Sequence, residues 1–160
     1  MKIFTWERDV IRSIALGILL VLFLLTPGML NAEPNEVQLL SIGNVGAVQN
    51  NPSRSSKFIL DSSFVITYLY TYHWNDGNGT NPGTIALRNQ NGRIFGPYQI
   101  TGSPGQGGVP NAVWEVYLNV IVPAGKYTVI DSEPSTWSCN AESENRGFAI
   151  VRGYRRHQRN

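Results

Sequence analysis

The chain has 160 residues, 42% of them hydrophobic and 15% charged, with a formal net charge of +2. A length of this order suits one domain with an adequate core, and a nearly neutral chain carries no electrostatic footprint for nucleic acid. The single cysteine, Cys139, excludes an internal disulfide, so stability rests on packing and the thiol is buried, free or joined to another chain.

Lys2, Arg8 and Arg12 precede an apolar run from Ile14 to Leu25, and Pro27-Gly28 breaks the segment before residues ending at Ala32. That order predicts a secretory signal peptide over residues 1–32. Its twelve apolar residues fall short of the roughly 20 that span a bilayer, so membrane attachment is expected only if the segment stays uncleaved. Cleavage after Ala32 would reduce 13 basic and 11 acidic residues to 10 and 9, a net of +1. The expected location is secreted or periplasmic.

Residues 33–57 form a lead-in, Gly-, Asn- and Ser-rich from residue 43, with a strand at Glu36–Leu40. From Phe58 onward, glycine and proline punctuate short apolar stretches in which no helical period appears. Strands are predicted at 58–60, 65–74, 83–89, 93–100, 112–122, 126–131 and 147–154. Asn91-Gly92 predicts a type I′ hairpin between the third and fourth. The expectation is an all-β fold, a two-sheet antiparallel β-sandwich, jelly-roll-like, of about eight strands over residues 58–154. A basic tail fills 155–160.

Side-chain alternation assigns faces. In 112–122 the even positions Ala112, Trp114, Val116, Leu118, Val120 and Val122 are all apolar and read as core. Asp131 is in phase with Tyr127 and Val129, which places a carboxylate at the rim or among local donors. Ser132, Ser135 and Thr136 follow it, and Asp131 reads as an anchor for the next loop. In 65–74, Ile66, Tyr68, Tyr70, Tyr72 and Trp74 fall on one face, with Val65, Thr67, Leu69, Thr71 and His73 on the other. Such an aromatic row is either core or a platform on which sugar rings stack. The adjacent Asn75, Asp76, Asn78, Thr80 and Asn81 would supply hydrogen bonds to a sugar.

Asp76, Asn78 and Thr80 offer alternate oxygens, but a single carboxylate is poor for calcium, and a glycine-rich turn explains the same residues. Two histidines and one cysteine nearly exclude zinc. No metal or cofactor is expected. His73 reads as a structural histidine near a strand end, with a hydrolase using His73 and Asp131 as acid and base as the rival. The run Thr101–Ala112 is glycine-rich but opens no helix, so it is a loop and not a phosphate cradle. In Asp131–Asn140, Trp137 sits among Ser135, Thr136, Ser138 and Asn140 and either caps the open end of the sandwich or joins a binding surface.

The segments TYHWNDGNGTNPGTIALRNQNGRIFGPYQ, TGSPGQGGVPNAVW and VPAGKYTVIDSEPSTWSCNAESENRGFAIVRG resemble a recurring β-sandwich module of exported bacterial and archaeal proteins. The resemblance covers about Phe58 to Gly153, roughly 60% of the chain. It implies a non-enzymatic domain behind a signal peptide, and it supplies no ligand and no catalytic residue. The chain departs from the pattern at Cys139, where a polar residue is usual, and at Glu142–Asn145, where Gly and Ser are commoner.

Together these features predict a non-catalytic binding module, with polysaccharide favoured over another cell-surface protein as partner, and with a structural or protein-interaction domain of the cell envelope as the alternative to it. Tyr72, Trp74 and Trp137 are the candidate stacking surfaces. His73, Asn75, Asp76 and Asn140 are the candidate hydrogen-bonding groups, with Asp131 beside them.

Overall fold

The computed structural model describes residues 35–156. The expected signal peptide, the first two residues of the lead-in and the last four of the tail lie outside the described residues. Eleven strands follow one another: β1 (Val37–Ile42), β2 (Gln49–Asn50), β3 (Lys57–Leu60), β4 (Phe64–Tyr72), β5 (Thr84–Asn89), β6 (Ile94–Gln99), β7 (Thr101–Ser103), β8 (Val113–Val122), β9 (Gly125–Asp131), β10 (Ser138–Cys139) and β11 (Ala149–Arg155). Among the described residues no helix is long and apolar enough to cross a membrane.

The strands form a five-stranded sheet, β1-β11-β4-β8-β7, a four-stranded sheet, β3-β9-β5-β6, and a small pair, β10-β2. All sheet pairings are antiparallel. Apart from the β5–β6 and β7–β8 pairs, the chain alternates between the two larger sheets, and the orders β1-β11-β4-β8 and β3-β9-β5-β6 are the wiring of an eight-stranded jelly roll. Each of the eight predicted strands is present within two residues of its expected bounds. The additional pieces are two- and three-residue strands inside segments read as loops: β2 in the lead-in, β7 in the glycine-rich run and β10 beside Trp137.

The core lies between the two larger sheets. The four-stranded sheet contributes Phe58, Leu60, Ile85, Leu87, Phe95, Tyr127 and Val129; the other contributes Phe64, Ile66, Leu69, Trp114, Val122, Ala149 and Val151. Burying each large apolar side chain contributes about 1.5–3 kcal/mol. On β8 the even positions face inward, as the alternation requires, and pair with the inward residues of β4: Trp114 with Thr71, Val116 with Leu69, Val120 with Ile66 and Val122 with Phe64.

β4 departs from simple alternation. Against β11, Ile66 pairs with Gly153 and Tyr68 with Arg152, which leaves Thr67 as an extra residue. A bulge of this kind reverses a strand's phase. Phe64 and Ile66 face the core before it; Leu69, Thr71 and His73, all fully buried, face it afterwards. Ile66 and the tyrosines therefore do not share a face, and Tyr68, Tyr70 and Tyr72 stand on the outer side of the five-stranded sheet.

The β5–β6 hairpin is present, but its turn is not type I′. The Gly92 N–H donates to Asn89 O at 3.0 Å, and Gly92 has φ +83° while Asn91 is not left-handed. This is a type I turn closed by a left-handed glycine. Asn89 Oδ1 accepts the N–H groups of Asn91 at 3.0 Å and Arg93 at 2.9 Å, which holds the longer loop.

Candidate binding groove

The outer face of the five-stranded sheet can be read from its register. One row across the sheet is Ser41, Ile150, Tyr70, Glu115 and Thr101; the next contains Tyr72, Val113 and Ser103. Two loops rise beside this floor: residues 43–48 after β1, and residues 104–108 before β8. Between them run two adjoining depressions, one of about 310 Å³ lined by Asn44, Val45, Tyr72, Trp74 and Gln106. The other, of about 450 Å³, is lined by Ser41, Tyr70, Tyr72, Gln106, Val113 and Ile150 among others. Both volumes fall in the range of small-ligand pockets.

The groove is aromatic and uncharged. Tyr70 and Tyr72 lie nearly parallel, with ring centroids 6.5 Å apart and an interplanar angle of 15°. Tyr72 is held in place by the Gln106 N–H, which donates to its hydroxyl at 3.1 Å. Gly105 packs against the same ring, where a Cβ would come within 2.8 Å of the Tyr72 hydroxyl. Trp74 is partly exposed, anchored by its backbone N–H donating to Ser138 Oγ at 2.8 Å. No lining residue of either depression is charged. Burial, reinforced by Tyr72 and Glu115, pushes the Tyr70 phenol well above its ordinary value, so its proton stays available. Farther along the face, Tyr68 donates to Glu115 Oε2 at 2.9 Å and is covered by Tyr117 and the Arg152 guanidinium.

Of the candidate ligand residues, the structure brings Tyr72 and Trp74 together in this groove. The others are placed elsewhere. His73 points inward from the strand that sends Tyr72 outward, is fully buried and stacks on Trp114 with centroids 3.8 Å apart. Its Nε2 lies 3.0 Å from Asp131 Oδ2 and its Nδ1 lies 2.9 Å from Thr136 Oγ1. Asp131 Oδ2 also accepts from the Thr71 hydroxyl at 2.7 Å, and Oδ1 accepts from the Glu133 N–H at 2.8 Å. The side chains of His73 and Asp131 have no solvent exposure. Every oxygen and nitrogen of this pair has a protein partner, so it ties the end of β4 to the loop after β9. An acid–base pair acting on a substrate would need side chains open to solvent, and these two are closed to it.

Trp137 is not a stacking surface. It is 5% exposed, donates its Nε1–H to Phe148 O at 2.8 Å and lies flat over Gly147, whose hydrogen stands where a Cβ would come within 2.2 Å of the indole. It belongs to the core cluster. Asn140 is also occupied. Its amide exchanges hydrogen bonds with that of Asn44, at 2.7 and 3.1 Å, and it accepts the Ser143 N–H at 3.0 Å. It thereby fixes the loop that forms one groove wall. Asn75 donates to Gly79 O at 2.7 Å within its own turn, and Asp76, exposed, receives a long contact from Asn50 Nδ2 at 3.4 Å. Among the described residues no three of His, Cys, Asp and Glu converge as a metal group would require. Cys139 is buried, and burial pushes its thiol upward, with Gln49 acting in the opposite sense.

Sequence reasoning placed Tyr70 in the aromatic row but not in the site, and it missed Asn44, Val45 and Gln106. Their only signal is that two glycine-rich loops lack strand character; which sheet edge they flank follows from pairing. Comparison with family models, with curated proteins and with solved structures finds no match for this chain.

Proposed function

We propose that the domain is a non-catalytic binding module of an exported protein and that the groove takes a carbohydrate. The observation that carries this reading is the run of Tyr70, Tyr72 and Trp74 along an uncharged, open groove of ligand size. Aromatic faces there meet the C–H faces of sugar rings. The Tyr70 hydroxyl, the Gln106 amide and the Trp74 indole N–H meet sugar hydroxyls. The jelly roll is an architecture that lectin domains also use, an analogy of fold that adds no residue. The resemblance to exported modules and the N-terminal segment support export. A glycan array probed with wild type beside Trp74→Ala tests the reading. Wild type is expected to retain a subset of neutral glycans that the folded variant loses; an array empty for folded wild type refutes it.

A further inference from the structure

The opposite side of the molecule has a different character. On the outer face of the four-stranded sheet, Lys57, Thr128 and Arg88 form one register row, and Ile59 pairs with Lys126 in the row beyond. Beside β3 lies a depression of about 540 Å³ lined by Arg54, Lys57, Lys126 and Arg146. A second, of about 210 Å³, is lined by Arg54, Arg88, Thr128, Asp131 and Trp137 among others. Arg54 and Ser55 belong to both, so the two are continuous. Five of the nine Lys and Arg of residues 35–156 lie here. Two acidic residues border them: Asp131, whose buried carboxylate is taken up by His73 and Thr71, and Glu144, whose Oε2 accepts from Arg54 Nη1 at 2.6 Å and from Arg146 Nη2 at 2.9 Å. Lys57, Lys126 and Arg88 make no ion pair among the described residues.

We infer that this basic track binds an acidic polysaccharide, a sugar polymer bearing sulfate or carboxylate groups. The Arg54–Glu144–Arg146 cluster already grips one carboxylate oxygen and fixes both guanidiniums beside the two free lysines. Strand spacing puts Lys57 and Arg88, two strands apart, about 10 Å from one another, so an extended chain lies across the strands and meets several cations at once. It also meets the Ser55 and Thr128 hydroxyls between them. A peptide that added a strand would use the backbone edge of β3, whereas these side chains stand on the face of the sheet; an acidic peptide, the other ligand of Arg clusters, is the case that polyglutamate tests. A bilayer favours protruding cations beside large apolar groups, whereas Arg54 and Arg88 line concavities and the two exposed apolar neighbours, Ile59 on β3 and Ile94 on β6, stand on opposite edge strands of the sheet and form no common patch.

The test is binding of the full chain to dextran sulfate, with uncharged dextran, polyglutamate and phosphatidylglycerol vesicles as parallel probes at low and high salt. Wild type is expected to bind dextran sulfate in preference to the other three and to lose affinity as salt rises. Lys57→Gln/Lys126→Gln should bind about tenfold more weakly with a flatter salt dependence, while Lys57→Arg/Lys126→Arg retains binding. Trp74→Ala should bind dextran sulfate as wild type does, which separates this site from the groove. Equal binding by the glutamine variant, retention on uncharged dextran, preference for polyglutamate or for the vesicles, or no binding overturns the assignment.

Discussion

Asp131→Ala separates a structural role for the buried His73–Asp131 pair from a catalytic one. The substitution removes the acceptor of His73 Nε2, of the Thr71 hydroxyl and of the Glu133 N–H at a side chain with no solvent exposure. Removing one partner of a buried charged or strongly polar pair costs about 3–5 kcal/mol, a figure that includes the donors left without an acceptor. Thr71 recovers part of this, because its hydroxyl is already 3.3 Å from His73 Nε2. The expected loss is about 3–5 kcal/mol, which for a domain of this size lowers Tm by roughly 10–20 °C. Asp131→Asn keeps the shape and one acceptor and should lose about 1–2 kcal/mol. Replacing both partners, as Asp131→Leu/His73→Phe, should be less damaging than the sum of the single substitutions. Calorimetry on these four proteins and on the single variants Asp131→Leu and His73→Phe measures this directly. A Tm within 3 °C of wild type for Asp131→Ala would refute the structural account, since a solvated acid of an active site behaves in that way.

Trp137→Ala empties a core site and breaks the bond to Phe148 O, so chemical denaturation should register a loss of about 3–5 kcal/mol; a loss under 1 kcal/mol would mean that the ring is not seated in the core. Cys139 should resist iodoacetamide at pH 8 in the native protein and react once urea unfolds it, whereas rapid native labelling would contradict its burial. Folding raises the Tyr68 and Tyr70 phenols above their ordinary value of 10.0, so their contribution is complete below that value and is lost as pH rises past it. Thermal stability should therefore fall above about pH 10, and the fall should be smaller in Tyr68→Phe/Tyr70→Phe; an identical alkaline profile in that variant would exclude the tyrosines as its cause.

Much of the sandwich was legible because its signals are local. Alternation along Ala112–Val122 identifies the inward side of β8, and glycine, proline and Asn91-Gly92 mark the turns. The jelly-roll expectation followed from strand number and punctuation. What stayed hidden is non-local. Nothing in the residues around Thr67 announces a bulge, because the extra residue exists only relative to β11. One unseen residue moved Leu69, Thr71 and His73 to the core and the tyrosines outward. Ser138–Cys139 did not read as a strand because two residues cannot show a period, and their burial comes from pairing with Gln49–Asn50. Trp137, among Ser and Thr neighbours, read as a cap of the open end or part of a binding surface, and its place in the core over Gly147 follows from the turn that carries it. The groove combined both cases: its rings were visible in sequence, and its walls were not.

The most direct test of the sugar-binding groove is equilibrium titration of the glycan retained best by wild type on the array. Trp74→Ala, Tyr72→Ala and Tyr117→Ala should be compared with wild type, each confirmed as folded. Tyr117 is 75% exposed on the same sheet but lines neither depression. The expected result is a loss of about 1–3 kcal/mol for Trp74→Ala and for Tyr72→Ala, roughly a tenfold to hundredfold rise in Kd, with Tyr117→Ala unchanged. Equal affinity across all four proteins, or a loss confined to Tyr117→Ala, would place the ligand outside this groove.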